Sequence, residues 1–126
     1  MLKYYLLVGT GGAVGSVLRF MISNMMYNSV ENHSFPWATL MVNLLGSFVI
    51  GFFAGMGHSG LMNINYNLLF ISGLLGGFTT FSAFSMESLH MLQMQQFTIL
   101  FAYIACSLIG GIALAYGGLM AIKSII

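Results

Sequence analysis

Charge is almost missing from this sequence. Lys3, Arg19 and Lys123 face two acids, Glu31 and Glu87, so charged side chains make up 4% of 126 residues. A soluble domain carries about 25%, and such a chain belongs in a membrane. No basic patch exists, which excludes nucleic acid as a partner. The single cysteine, Cys106, stands in an apolar run and excludes both a disulfide framework and a thiolate metal cluster. His33, His58 and His90 lie in or beside polar stretches, far apart and without an i, i+4 partner, which argues against a metal site built from them. No Ser-His-Asp, Cys-His or paired-carboxylate arrangement is present, so enzymatic chemistry has no residues to perform it. Proline occurs once, and Pro36 suits the first turn of a helix.

What is present is hydrophobic: 59% of residues, with a mean hydropathy of +0.95. Four apolar runs cover roughly 2–27, 37–57, 66–91 and 97–122, each near the roughly 20 residues that span hydrocarbon. Polar stretches at 28–36, 57–67 and 93–96 separate them, and Tyr4, Tyr5, Tyr27, Trp37 and Tyr66 sit near run ends, where amphipathic rings favour the interface. The sequence therefore predicts an all-α membrane protein. Residues 1–126 form one domain of four transmembrane helices, with both termini on the same side and membrane lipid around it. The first run follows Lys3 but lacks a clear small-x-small cleavage site, and is read as a retained anchor. Small residues recur at spacing four: Gly11 and Gly15; Ser47, Gly51 and Gly55; Gly73 and Gly77; Ser107 and Gly111. This pattern lets membrane helices approach closely. Lys3 and Lys123 on one side against Arg19 towards the other give a weak positive-inside bias, which permits insertion both ways.

The third run holds the most informative stretch, Gly73-Leu-Leu-Gly-Gly-Phe78-Thr-Thr-Phe81-Ser-Ala-Phe84-Ser85. Paired Gly and paired Thr weaken a helix, so the third helix is predicted to break near its middle. Hydrocarbon tolerates broken backbone only where protein or a water-lined cavity covers it, and transporters use the freed groups to hold ions. Other polar residues have two readings each. Arg19 either snorkels from a helix end or builds an electropositive vestibule for anions. Asn43 is either helix glue or an NH₂ donor aimed at an anion. Phe78, Phe81 and Phe84 form a stripe that either packs or presents electropositive ring edges to an anion, with the neighbouring Ser and Thr as hydroxyl donors. Glu87 is either interfacial or a proton or cation site. Val8-Gly-Thr-Gly-Gly-Ala-Val-Gly15 imitates a dinucleotide loop but lacks a strand-helix-strand context.

These motifs converge. The chain resembles the CrcB/Fluc fluoride channels of bacteria nearly end to end, through Gly11-Gly12-x-x-Gly15-x-x-x-Arg19, Pro36-Trp37-x-Thr39-Leu40-x-Val42-Asn43-x-x-Gly46-Ser47-Phe48 and Gly76-Gly77-Phe78-Thr79-Thr80-Phe81-Ser82-Ala83-Phe84-Ser85. The resemblance implies a multi-pass protein of the bacterial inner membrane that exports fluoride passively and confers fluoride resistance. It implies an antiparallel, dual-topology homodimer with two pores, and a structural Na⁺ held by the backbone carbonyls of Gly76 and Thr79. It implies that Phe81 and Phe84 line the pore, with Asn43, Ser82 and Thr80 as polar partners. Arg19 and Thr39 would shape the aqueous approach, and Tyr103 and Ser107 would begin a polar track in the fourth run.

The sequence departs from the family at Ala83, where a Thr is common, and at Gly111 and Ala115, where the polar track loses hydroxyls. A dual-topology small multidrug transporter also has four helices, but it needs an embedded acid in the first run. A non-conducting assembly subunit would leave the Phe-Thr-Ser pattern unexplained. The want of an intramembrane acid near the break favours a passive channel over coupled exchange.

Overall fold

The computed structural model describes residues 1–29 and 35–126; Glu31 and His33 lie outside them. Among the described residues, four helical spans are long and apolar enough to cross a membrane. α1 is Leu2–Ser29 and α2 is Trp37–His58, with Pro36 immediately before its first residue. The third span, Ile64–Gln93, comes in two halves. Its first half, α3, passes from a turn at Ile64–Tyr66 through a widened π-helical stretch, Asn67–Leu75, to a last turn at Gly76–Phe78. Its second half, α4, is Phe81–Gln93. α5, Phe97–Lys123, closes the chain after a tight turn in which Gln95 takes φ 56°.

The helices pack in two close pairs, α1 on α3 and α2 on α5, and small residues make both pairings possible. A methyl group on Gly11 would meet the Leu69 carbonyl, and one on Gly15 the Leu74 carbonyl. Across the other pair, Gly51 faces the Ala115 carbonyl and Gly118 the Phe48 carbonyl. Gly11, Gly15, Gly51, Gly55, Gly73 and Gly77 thus do what their spacing predicted, while Gly118 belongs to the same seam without a spaced partner to announce it. α4 is held differently. Its apolar contact is a small cluster in which Met91 meets Leu40 of α2 and Leu100 and Tyr103 of α5.

The predicted break lies at Thr79 and Thr80, whose backbones are extended (φ −80°, ψ 156° and φ −148°, ψ 116°). Thr79 closes α3 by sending both its N–H and its hydroxyl to the Leu75 carbonyl, at 3.0 and 2.9 Å. Thr80 opens α4 as an N-cap, its hydroxyl accepting the Ala83 N–H at 3.2 Å.

Candidate functional site

Two extended residues inside a span leave backbone groups to be satisfied, and Asn43 of α2 satisfies one pair. Its Oδ1 accepts the Thr80 N–H at 2.8 Å and its Nδ2 donates to the Thr80 carbonyl at 3.0 Å. The carboxamide therefore replaces a missing strand partner, which makes Asn43 a clamp on the break. One of its two N–H donors is still left over. The clamp and the Thr80 cap also divert the helical donors of two carbonyls. In a continuous helix the Gly76 carbonyl would accept from the Thr80 N–H, which Asn43 takes. The Thr79 carbonyl would accept from the Ala83 N–H, which the Thr80 hydroxyl takes.

Three cavities follow one another around this clamp. The outermost, about 480 Å³, is walled by Ser23, Pro36, Trp37, Thr39, Ala83 and Glu87 among others. The second, about 220 Å³, shares Ser23, Thr39 and Ala83 with the first and adds Ser16, Arg19 and Thr80. The third is a groove of about 300 Å³ that shares Thr80 with the second and is lined by Asn43, Ser47, Thr79, Phe81, Phe84 and Ser107. The series runs from the Trp37 end of α2 past Arg19 to the two phenyl rings. The Phe81 and Phe84 centroids are 5.7 Å apart, and Phe81 is 78% exposed beside the groove. Arg19 Nε and the Ser107 hydroxyl are buried without a partner among the described residues, so each wall keeps an unused donor.

Most sequence-predicted residues thus come together: Arg19 and Thr39 on the second cavity, Thr80 at its junction with the groove, and Asn43, Phe81, Phe84 and Ser107 on the groove. Ser82 is exposed and meets the Thr80 hydroxyl at 3.2 Å, off all three cavities. Tyr103 is fully buried behind Phe84, its ring centroid 5.1 Å away. Gly76 is exposed, on the opposite side of the break from α4.

The family model described as "CrcB-like protein, Camphor Resistance (CrcB)" matches residues 6–119. The chain belongs to the CrcB-like family. It is 41% identical over 123 residues to a protein of Leptospira interrogans (serovar copenhageni) named "Fluoride-specific ion channel FluC", covering 97% of this chain and 96% of that one. A protein of the same name from Rhizobium meliloti is 39% identical over 130 residues, covering 99% and 100%. "Fluoride-specific ion channel FluC 1" of Listeria monocytogenes is 37% identical over 120 residues, covering 95% and 98%. The CrcB-like family is one of ion channels and not of enzymes.

The sequence reading left Glu87 open between an interfacial acid and a proton or cation site. It is half-buried on the wall of the outermost cavity, and both carboxylate oxygens are engaged. Oε1 accepts from the Thr39 hydroxyl at 2.6 Å and Oε2 from the Tyr103 hydroxyl at 2.7 Å. As its place in the third apolar run implied, the acid lies within the third span, two helical turns beyond Thr80. The general rule that an intramembrane ionisable group finds named partners was the signal available for it. The partners themselves lie 48 and 16 residues away in sequence.

Proposed function

We propose that this chain forms a fluoride-selective channel that lets fluoride leave the cell passively across the bacterial inner membrane. Its pores would lie between two copies inserted in opposite orientations, with a structural Na⁺ on their common axis. The observation that carries the reading is the series of three wall-sharing cavities in a CrcB-like chain, which ends at two phenyl rings beside unused donors. Fluoride is small and strongly hydrated, so a path that strips its water must supply several donors in exchange. The spare Asn43 N–H, the Ser107 hydroxyl and the edges of Phe81 and Phe84 do so without a fixed charge in the groove, and ring edges are electropositive. Arg19 stands one cavity earlier, where it attracts anions without trapping them. Binding strong enough to admit the ion and weak enough to release it is what conduction requires.

The second copy is argued from the open side of the groove. Phe81 is 78% exposed there, and Leu108 of α5, which also lines the groove, is 56% exposed. Closing the groove with a second subunit would turn it into a pore. The Na⁺ fits the same geometry. Gly76 and Thr79 each have a carbonyl whose helical donor is diverted, and two copies would bring four such oxygens together, a donor set that suits a hard cation. When bound, the ion would neutralise the partial negative charge at the end of α3.

The test is growth. A bacterium stripped of its own fluoride export, expressing this chain, should grow in fluoride at which the empty strain stops. Adding three lysines to one loop should abolish the rescue, and co-expressing the protein with lysines on the opposite side should restore it. Full rescue by a single forced orientation would refute the antiparallel pair; no rescue by the wild type at verified expression would refute the channel.

A further inference from the structure

We propose that Glu87 is a positioning residue of the ion path: its carboxylate clamps α2, α4 and α5 together and, through Tyr103, sets where the Phe84 ring meets the groove. The inference rests on the fluoride-channel reading for its functional consequence, and on hydrogen bonds and ring contacts for its geometry.

α4 follows two extended residues, so no helix ladder carried over from α3 fixes its rotation about its own axis. Asn43 holds Thr80, the cap that precedes its first residue, and the Met91 cluster holds its far end. Phe84 lies between these anchors, and the polar tie in that interval is Glu87. Its two oxygens take one hydroxyl from each neighbouring helix, Thr39 at 2.6 Å and Tyr103 at 2.7 Å. Tyr103 is fully buried, and its ring sits 5.1 Å from Phe84 on one side and 5.6 Å from Phe35, edge-on, on the other. Tyr103 is thus held at its hydroxyl by Glu87 and flanked by two rings, one of which is Phe84.

A carboxylate suits this task because it offers acceptors at both oxygens. A glutamine offers one acceptor and one donor, so one of the two hydroxyls must turn its proton elsewhere. The same geometry separates Thr39 and Tyr103 from direct anion contact, since their hydroxyl protons are spent on Glu87. Their part in conduction is therefore to hold the ring.

The test compares Glu87→Gln, Tyr103→Phe and the double variant in proteoliposomes, together with 4-fluorophenylalanine placed at position 84 and read by ¹⁹F NMR. Each single variant should lower fluoride flux about tenfold and broaden or split the single ring resonance of the parent. The double variant should lose no more than the worse single, because both break one clamp. Thr39→Ser, which keeps the hydroxyl, should retain more flux than Thr39→Val, and this pair carries the test if Glu87→Gln does not purify as the parent species does. Wild-type flux in Glu87→Gln, losses that multiply in the double variant, equal flux in Thr39→Ser and Thr39→Val, or lowered flux with an unchanged ring signal would each overturn the clamp. If the parent itself carries no fluoride, the channel reading fails, while the ring signal, which needs no flux, still decides the clamp.

Discussion

Replacing Asn43 by Asp alters one side-chain atom and strikes both the break and the path. Asp keeps an acceptor for the Thr80 N–H, which Asn43 holds at 2.8 Å, but sets an oxygen 3.0 Å from the Thr80 carbonyl, where Nδ2 now donates. Leaving that carbonyl unpaired costs about 1–3 kcal/mol. A fixed negative charge on the groove wall also repels fluoride, by about 4 kcal/mol for two unit charges 4 Å apart at an effective dielectric near 20. Half of that repulsion alone is about 2 kcal/mol, roughly thirtyfold in rate. Fluoride efflux from proteoliposomes, measured with a fluoride electrode at matched protein and after checking by size exclusion that the variant elutes as the parent does, should therefore fall at least about thirtyfold in Asn43→Asp. Asn43→Ser keeps a hydroxyl, carries no charge and is too short to reach both Thr80 groups, so its loss should be milder. Wild-type flux in both variants would reduce Asn43 to helix glue and refute the reasoning.

Gly15→Ala drives a methyl group into the Leu74 carbonyl, whereas Gly9 has nothing within 4 Å. Overpacking of this kind costs about 1–3 kcal/mol, so thermal unfolding in detergent should shift down for Gly15→Ala and stay put for Gly9→Ala; equal midpoints would contradict the α1–α3 seam. Phe81→Ile and Phe84→Ile keep apolar bulk but remove the electropositive edge, and each should lower fluoride flux at least about tenfold, about 1.4 kcal/mol of barrier, while the protein still purifies as the parent species. Met should be tolerated better than Ile at one or both positions. Because the Na⁺ ligands would be backbone carbonyls, Thr79→Ser should retain the ion and bulky changes at Gly76 should prevent assembly, with flux before and after exhaustive Na⁺ removal as the readout. Flux independent of Na⁺ history would count against the central ion.

The spans were legible because each rests on a local property. An apolar run of sufficient length must be a helix in hydrocarbon, and the four runs agree with the observed spans to within a few residues. The break was legible for the same reason: Gly76-Gly77 and Thr79-Thr80 weaken the helix where they stand, and the extended residues are Thr79 and Thr80 themselves. What escaped the sequence was pairing across helices. Asn43 and Thr80 are 37 residues apart, Thr39 and Glu87 are 48, and no periodicity within either helix encodes the meeting. Asn43 could accordingly be read as glue or as a donor, and what the structure adds is its partner, the Thr80 backbone. Glu87 could be recognised as an acid inside an apolar run, but its burial depended on two hydroxyls that only the fold brings to it. The π-helical widening over Asn67–Leu75 had no sequence signal either; it lies where α1 presses its glycines against the Leu69 and Leu74 carbonyls.

The most direct measurement is fluoride efflux from proteoliposomes that hold the purified wild-type protein, with potassium fluoride inside and valinomycin to carry the balancing charge. A passive fluoride-selective channel should empty the vesicles of fluoride only when valinomycin is present, and should leave chloride inside under the same conditions. Fluoride retained despite valinomycin, or chloride released as readily as fluoride, would contradict the account.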